Sequence, residues 1–249
     1  MSGVDVPGSI WMRPERPGRG PSPTYSREQI TAAAIKIADE AGIAAVSMRR
    51  VAQDLGTGAM SLYRYVGSKD DLIALMLDHV EGEDPLPEVP AEDWRTELTR
   101  LAERGRAIML RHPWSAMLII GRPNFGPNTL HTMEYALTCL DGLGLSIDEM
   151  LNAVFSLVGH VRMFVQSEVA EAEETRRTGL TEDQWRITQH AYVKQIVEGG
   201  RYPLFARVIT EATTPHLDMD QRFRDGLEHL LDGITAQIHR KESLRNSNG

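Results

Sequence analysis

The sequence predicts an all-α protein: an N-terminal three-helix helix-turn-helix domain followed by a larger helical domain. Three observations carry that expectation. Apolar residues recur at helical spacing in segment after segment, with little of the alternation that marks a half-buried strand. Helix starts are marked by Ser or Thr followed three residues later by Gln, Glu or Asp. Two short helical patterns near the N-terminus are separated only by a glycine-bearing turn. With 249 residues, 41% of them hydrophobic, the chain is long enough for one large or two modest cores.

Residues 1–24 are rich in Pro and Gly and carry Arg13, Arg16 and Arg19, the composition of a disordered basic arm. Such an arm either tracks a DNA groove or stays inert, and the sequence leaves both open. The first helix starts at a Ser26–Gln29 capping box, carries Ile30, Ala34, Ile37 and Ala38 on one stripe, and stops at Gly42. Ser47 is a good N-cap for the second. Its stripe is Met48, Val51, Ala52 and Leu55, with Arg49 and Arg50 off it, and Gly56 ends it. A third helix, from about Gly58 to Tyr65, has Leu62 and Val66 inward. That register sends Ser61, Tyr63, Arg64 and Tyr65 outward. Gly67 closes it, and Ser68 caps a fourth helix with Asp71 in the box position. The acidic, Pro-rich run EGEDPLPEVPAED reads as a linker. Beyond it lie a helix from Trp94 ended by Pro113 and one from Asn128 ended by Gly142. A long helix runs from Ser146 to about Arg177, and another from Thr181 to about Glu198. A short one spans 203–210, and a last one runs from about 220 to 241.

Several function classes find no support. A lone cysteine, Cys139, excludes an intrachain disulfide and a cysteine-based zinc site, and it fits a reducing cytoplasm. No run approaches the roughly 18 apolar residues of a membrane helix, and the first residues lack the apolar centre of a signal peptide. His112, His131 and His160 stand apart, without a partner at metal-ligand spacing, so no metal is expected. No phosphate-binding glycine loop or nucleophile motif occurs, so neither a cofactor nor an enzymatic activity is expected.

Charge points elsewhere. The net charge is −8, but residues 1–69 hold nine Lys or Arg against six Asp or Glu, a balance of +3. Residues 70–249 hold eighteen against twenty-nine, a balance of −11. A basic end on an acidic body suits one end meeting phosphate. It is also the end with the helix-turn-helix pattern, whose third helix is short, held on one side and polar on the other. Lys69 and Ser68, at the start of the fourth helix, add phosphate partners.

The run VSMRRVAQDLGTGAMSLYRYVGSKDDLIALMLDHV resembles the DNA-binding domain of the TetR/AcrR repressor family, through its LYxYV-x-x-K-D-x-L signature. The segments HPWSAMLIIGRP, FSLVGH and FRDGLEHLLDG resemble the tetracycline-repressor type of effector domain. The resemblance implies a DNA-binding domain at 25–70 and an effector-binding and dimerisation domain at 71–249. It implies Arg49, Ala59, Met60 and Tyr63 at base-reading positions, and Ser47, Ser61, Tyr65 and Lys69 at phosphate contacts. Where the family pattern has a glutamine on an adenine, this chain has Ala59, which makes no bidentate contact. Arg49 is then the best single base-reader, and Met60 suits a thymine methyl. Arg50 and Arg64 are equally consistent with solvated surface charge, and Tyr63 with a share in the core.

The resemblance also maps an effector pocket onto Leu101, Gly105, Ile119, Met133, Ala136, Phe155, Gly159 and Glu168. Ile119 stands where the tetracycline-repressor pattern has a metal-binding histidine, which argues for a metal-free, largely apolar pocket with an apolar or aromatic effector. These residues also suit plain core packing. A homodimer through helices at about 147–177 and 220–241 is implied, placing two reading heads on an inverted repeat. The expected protein is a cytoplasmic, ligand-released repressor of double-stranded DNA, outside any membrane. A same-fold activator or architectural DNA-binder without a ligand is the alternative, and a helical enzyme is a weaker one.

Overall fold

The computed structural model describes residues 9–13, 25–91, 93–118, 124–213 and 218–247. Among them the regular structure is helical, with no strand. The contacts divide the chain into two compact units, 1–142 and 143–249.

In the first unit, α1 (Arg27–Ala41) is opened by the Ser26–Gln29 capping box, both of whose hydrogen bonds form. Each such cap is worth about 1 kcal/mol. Ser47 caps α2 (Met48–Asp54) by accepting from the Arg50 N–H at 3.2 Å. Gly56, at φ +67°, makes the turn to α3 (Ala59–Leu62), a backbone conformation costly for any residue with a Cβ. Ser68 caps α4 (Lys69–Glu81). Then come α5 (Trp94–Arg111), α6 (Pro113–Met117) and α7 (Pro127–Leu140). Pro113 ends α5, as expected, and also opens α6 as its first residue, where a missing N–H costs nothing.

The first three helices share their core with later elements. Ile30, Ala34, Ile37, Val46, Val51, Leu62 and Val66 form one apolar cluster with Leu72, Met76 and Val80 of α4, Ile108 of α5 and Trp114 of α6. The apolar cluster of the first three helices thus continues past residue 70 into α4, α5 and α6. Asp78, 3% exposed on α4, ties in α7 by accepting from the Thr129 N–H and hydroxyl, each at 2.9 Å. A Cβ on Gly126 would run into the Asp78 side chain, so a glycine is required there.

Residues 9–13 fall inside the expected disordered arm, yet Ile10–Met12 form a 3-10 turn with Ile10 buried. The Arg27 guanidinium donates to the carbonyls of Arg13 at 2.9 Å, Ile10 at 3.4 Å and Tyr65 at 3.0 Å. Arg13 in turn pairs with Asp71 of α4 at 3.0 Å. Three apolar and cationic residues thus pin this segment to the head. The rest of the arm lies outside the described residues.

The second unit holds α8 (Ile147–Thr178), α9 (Glu182–Glu198), α10 (Pro203–Glu211) and α11 (Met219–Ser247). Capping boxes open α8 at Ser146–Glu149 and α9 at Thr181–Gln184. Val154, Leu157, Val161 and Val165 of α8 and Phe223, Leu227, Leu231 and Ile234 of α11 are buried, and the two helices pack together. Lys241 and Glu149 close that pair at 2.8 Å. α9 and α10 contact each other and bury no side chain. No described helix is long and apolar enough to cross a membrane.

Candidate nucleic-acid interface

The helix-turn-helix is built by fixing one side of two short helices. On α2, Met48, Val51 and Ala52 are buried, which leaves Arg49 and Arg50 in solvent. On α3, Leu62 is fully buried, while Met60 is 79% exposed. Tyr63, just past α3, is 43% exposed, so it is a surface residue. The α2–α3 turn is braced from outside by the Tyr25 hydroxyl, which donates to the Leu55 carbonyl at 2.8 Å. Lys36 of α1 reaches Asp54 at the end of α2 at 3.9 Å.

Of the residues the sequence assigns to base reading, Arg49, Met60 and Tyr63 are exposed and Ala59 is half-buried at the start of α3. Among the assigned phosphate partners, Ser47 and Lys69 are exposed and Ser61 is half-buried. The Ser47 hydroxyl oxygen already serves as a cap acceptor, and its own proton stays available for a phosphate. Tyr65 departs from expectation. It is 7% exposed and belongs to the head's apolar cluster. After α3 the chain continues as a turn, with the Tyr65 and Val66 N–H groups both donating to the Leu62 carbonyl at 2.9 Å. Leu62, Tyr65 and Val66 therefore share one inward face at i, i+3 and i+4. The outward assignment of Tyr65 is corrected accordingly.

The positions mapped to the effector divide between the units. Leu101 and Ala136 are buried and Gly105 and Met133 half-buried, on α5 and α7, which pack against each other. On α8, Phe155 and Gly159 are exposed and Glu168 is half-buried. Ile119 lies outside the described residues. Among the described residues no group of three or more His, Cys, Asp or Glu is placed to hold a metal ion. His160 is used within the second unit: a ring nitrogen lies 3.0 Å from the Phe223 carbonyl, and the ring sits among Phe164 and Phe223. Burial pushes its pKa down, only partly opposed by that hydrogen bond.

Sequence reasoning missed a polar cluster behind the head. His112, between α5 and α6, is 5% exposed. Its Nδ1 lies 2.8 Å from Oδ1 of Asp39 on α1. Its Nε2 lies 3.1 Å from each carboxylate oxygen of Glu83, just past α4. Trp114 Nε1 donates to the same Asp39 oxygen at 2.7 Å. Arg111 donates to Glu83 at 2.6 Å and to Asp84 at 3.1 Å. Burial works against the Glu83 charge, but hydrogen bonds from Arg111 and His112 outweigh it and hold its carboxyl below the usual range. The His–Pro–Trp run at 112–114 was the one local signal, since the partners stand 73 and 29 positions away.

Comparison with known proteins agrees with this architecture. Residues 30–76 match the family model of bacterial regulatory proteins of the tetR family, and residues 86–238 match that of the tetracyclin repressor-like C-terminal domain. The HTH-type transcriptional repressor DrrR1 of Streptomyces coeruleorubidus is 36% identical over 230 residues, covering 92% of this chain and 84% of that protein. The tetracycline repressor protein class E of Escherichia coli is 24% identical over 222 residues, covering 87% and 94%. Apo ActR of Streptomyces coelicolor superposes with a TM-score of 0.72 at 28% identity, covering 89% of this chain and 99% of that one. ActR in complex with actinorhodin superposes with a TM-score of 0.70 at 27% identity, covering 86% and 97%. A C-terminal model spanning more than half of the chain, an N-terminal model over α1–α4 and the two exposed short helices converge: this protein belongs to the TetR family of transcriptional regulators, with a helix-turn-helix DNA-binding head.

Proposed function

We propose that the protein is a homodimeric, ligand-released repressor that acts in the cytoplasm on an inverted-repeat operator. The observation that carries this reading is the one-sided fixing of α2 and α3. Their apolar residues are locked into the cluster shared with α4, and Arg49, Met60 and Tyr63 stand in solvent. Arg49 is the principal base-reader, Met60 a partner for a thymine methyl, and Tyr63 a packing surface for base and backbone. Ser47, Ser61 and Lys69 hold phosphates. Because Gly58 is the N-cap of α3 and Ala59 its first residue, its first turn positions the head more than it specifies sequence.

Dimerisation is supported by the second unit, where Val158 and Met163 on α8 are 42% and 56% exposed beside the buried stripe. Repression is supported by the name of the Streptomyces coeruleorubidus relative, and a small-molecule effector by the actinorhodin complex of ActR. The effector is an apolar or aromatic molecule bound without metal, since the positions mapped to it include Leu101, Met133, Ala136 and Phe155. It releases DNA only by binding the DNA-incompetent conformation better.

Selection of duplexes from a random-sequence library, followed by binding isotherms on the winners, tests the contacts. Arg49→Ala should lose about 1–3 kcal/mol at one base position and flatten preference there. Lys69→Ala should weaken every sequence alike and reduce the salt slope by about 1. Unchanged binding in both variants would reject the assignment.

A further inference from the structure

The segment 9–13 meets the head at the turn between α3 and α4, the turn that delivers Lys69. Two guanidinium groups hold it there. Arg27, the first residue of α1, donates through Nε to the Tyr65 carbonyl at 3.0 Å. Its Nη1 donates to the carbonyls of Arg13 at 2.9 Å and Ile10 at 3.4 Å. One side chain thus ties both the segment and the turn to the start of α1. Arg13 reaches on to Asp71 of α4 at 3.0 Å, the two side chains being 30% and 18% exposed. Ile10 is buried at the other end of the segment.

Gly67 shows that this seat is built. It is not among the glycines with positive φ, so its backbone does not require a glycine. A Cβ there would instead run into the Arg13 guanidinium and meet Asp71 Oδ2 at 3.0 Å. The glycine supplies room for the Arg13–Asp71 pair against the turn. Asp71 is also part of the start of α4. Its N–H donates to the Ser68 hydroxyl oxygen at 3.0 Å, and the Leu72 N–H donates to the Ser68 carbonyl at 3.1 Å. Ser68 is the N-cap of α4, and Lys69, its first residue, is exposed. The ion pair therefore closes on a residue two positions from the lysine assigned to phosphate.

We propose that Ser9–Arg13 is a strap that sets the turn between α3 and α4, with Arg13 a positioning residue for the Lys69–phosphate contact. The working head then begins at Ser9, ahead of α1. Arg13 itself touches no DNA in this proposal, which rests on the reading of Lys69 as an operator contact.

The full chain is compared as wild type, Arg13→Ala, Gly67→Ala, Lys69→Ala and the two doubles that pair Arg13→Ala with each of the others. Amide hydrogen exchange without DNA is followed at residues 65, 66, 71 and 72, whose N–H groups are bonded within the turn and the cap. Affinity for the library-selected duplex is followed against salt. Arg13→Ala and Gly67→Ala should each speed exchange at those amides and leave the middle of α1 unchanged. Each should weaken binding roughly three- to tenfold, between the effect of an exposed ion pair and that of a charge-assisted hydrogen bond. Gly67→Ala should add nothing to Arg13→Ala, because the Cβ then has no guanidinium to displace. Arg13→Ala should add less than about twofold to Lys69→Ala, and leave its salt slope unchanged. Wild-type exchange and affinity in both single variants would overturn the strap. A full further loss on top of Lys69→Ala, with the salt slope reduced by about 1 more, would also overturn it by making Arg13 a phosphate contact itself. If no duplex is selected, the DNA-contact reading fails separately, and amide exchange still decides whether the segment holds the turn. If Arg13→Ala does not fold, Gly67→Ala decides it.

Discussion

The two compact units solve burial differently. In the first, polar groups go deep and find partners: Glu97 is 3% exposed, accepting from the Tyr135 hydroxyl at 2.8 Å and the Ala91 N–H at 3.2 Å, and Asp78 caps α7. In the second, the buried stripe is apolar and ends at α8 and α11, while α9 and α10 bury nothing. Trp185, Ile187, Tyr192, Leu204 and Phe205 are 44–73% exposed there. A patch of that kind on a single chain marks an interaction surface. The first unit thus sends polar groups inward to partners, whereas the second leaves apolar side chains of α9 and α10 in solvent.

The largest expected effect lies where the head is held. Leu62→Ala, at a fully buried position, should cost about 2–5 kcal/mol in denaturant unfolding, independent of protein concentration. A concentration-dependent loss would mean that the first unit too relies on a partner. In the second unit, Val158→Asp should halve the mass seen by light scattering and make selected duplexes bind weakly, with helix content kept. An unchanged mass would move the interface off α8. The smallest effect is electrostatic. Hydrogen bonds from Lys241 and the Ser146 N–H hold the Glu149 carboxyl at about 2, well below the usual carboxylate range. A depressed carboxyl stabilises above its unfolded pKa and loses that contribution as pH falls toward the folded one. Thermal unfolding should therefore soften a little between about pH 4.5 and 2 in the wild type, and less in Lys241→Met.

The caps were the most legible feature of the chain. Ser26, Ser47, Ser68, Ser146 and Thr181 each bond a backbone N–H three residues away, so sequence distance and spatial distance coincide. The one-sided fixing of α2 and α3 was legible for the same reason, through the spacing of Val51, Ala52 and Leu62. Tyr65 was misread because α3 ends after four residues and the following turn brings i+3 inward beside i+4. Glu83 and Asp84 looked like linker acidity, yet they meet Arg111 across 28 and 27 positions. Ile10 and Arg13 sit in a Pro- and Gly-rich stretch whose composition predicts disorder, while their partners Arg27 and Asp71 lie far along the chain. No local pattern encodes such pairings. The last helix runs to Ser247, past the expected 241, because the polar end of its sequence weakens the apolar period without breaking the helix.

The proposed function requires a second unit that pairs with a second copy and a head that reads half a site. Light scattering of the complex with a library-selected duplex measures both at once. The predicted result is two chains on one duplex, with the free protein already a dimer at micromolar concentration. A stable complex of one chain on one duplex, formed from a monomeric protein, would contradict it.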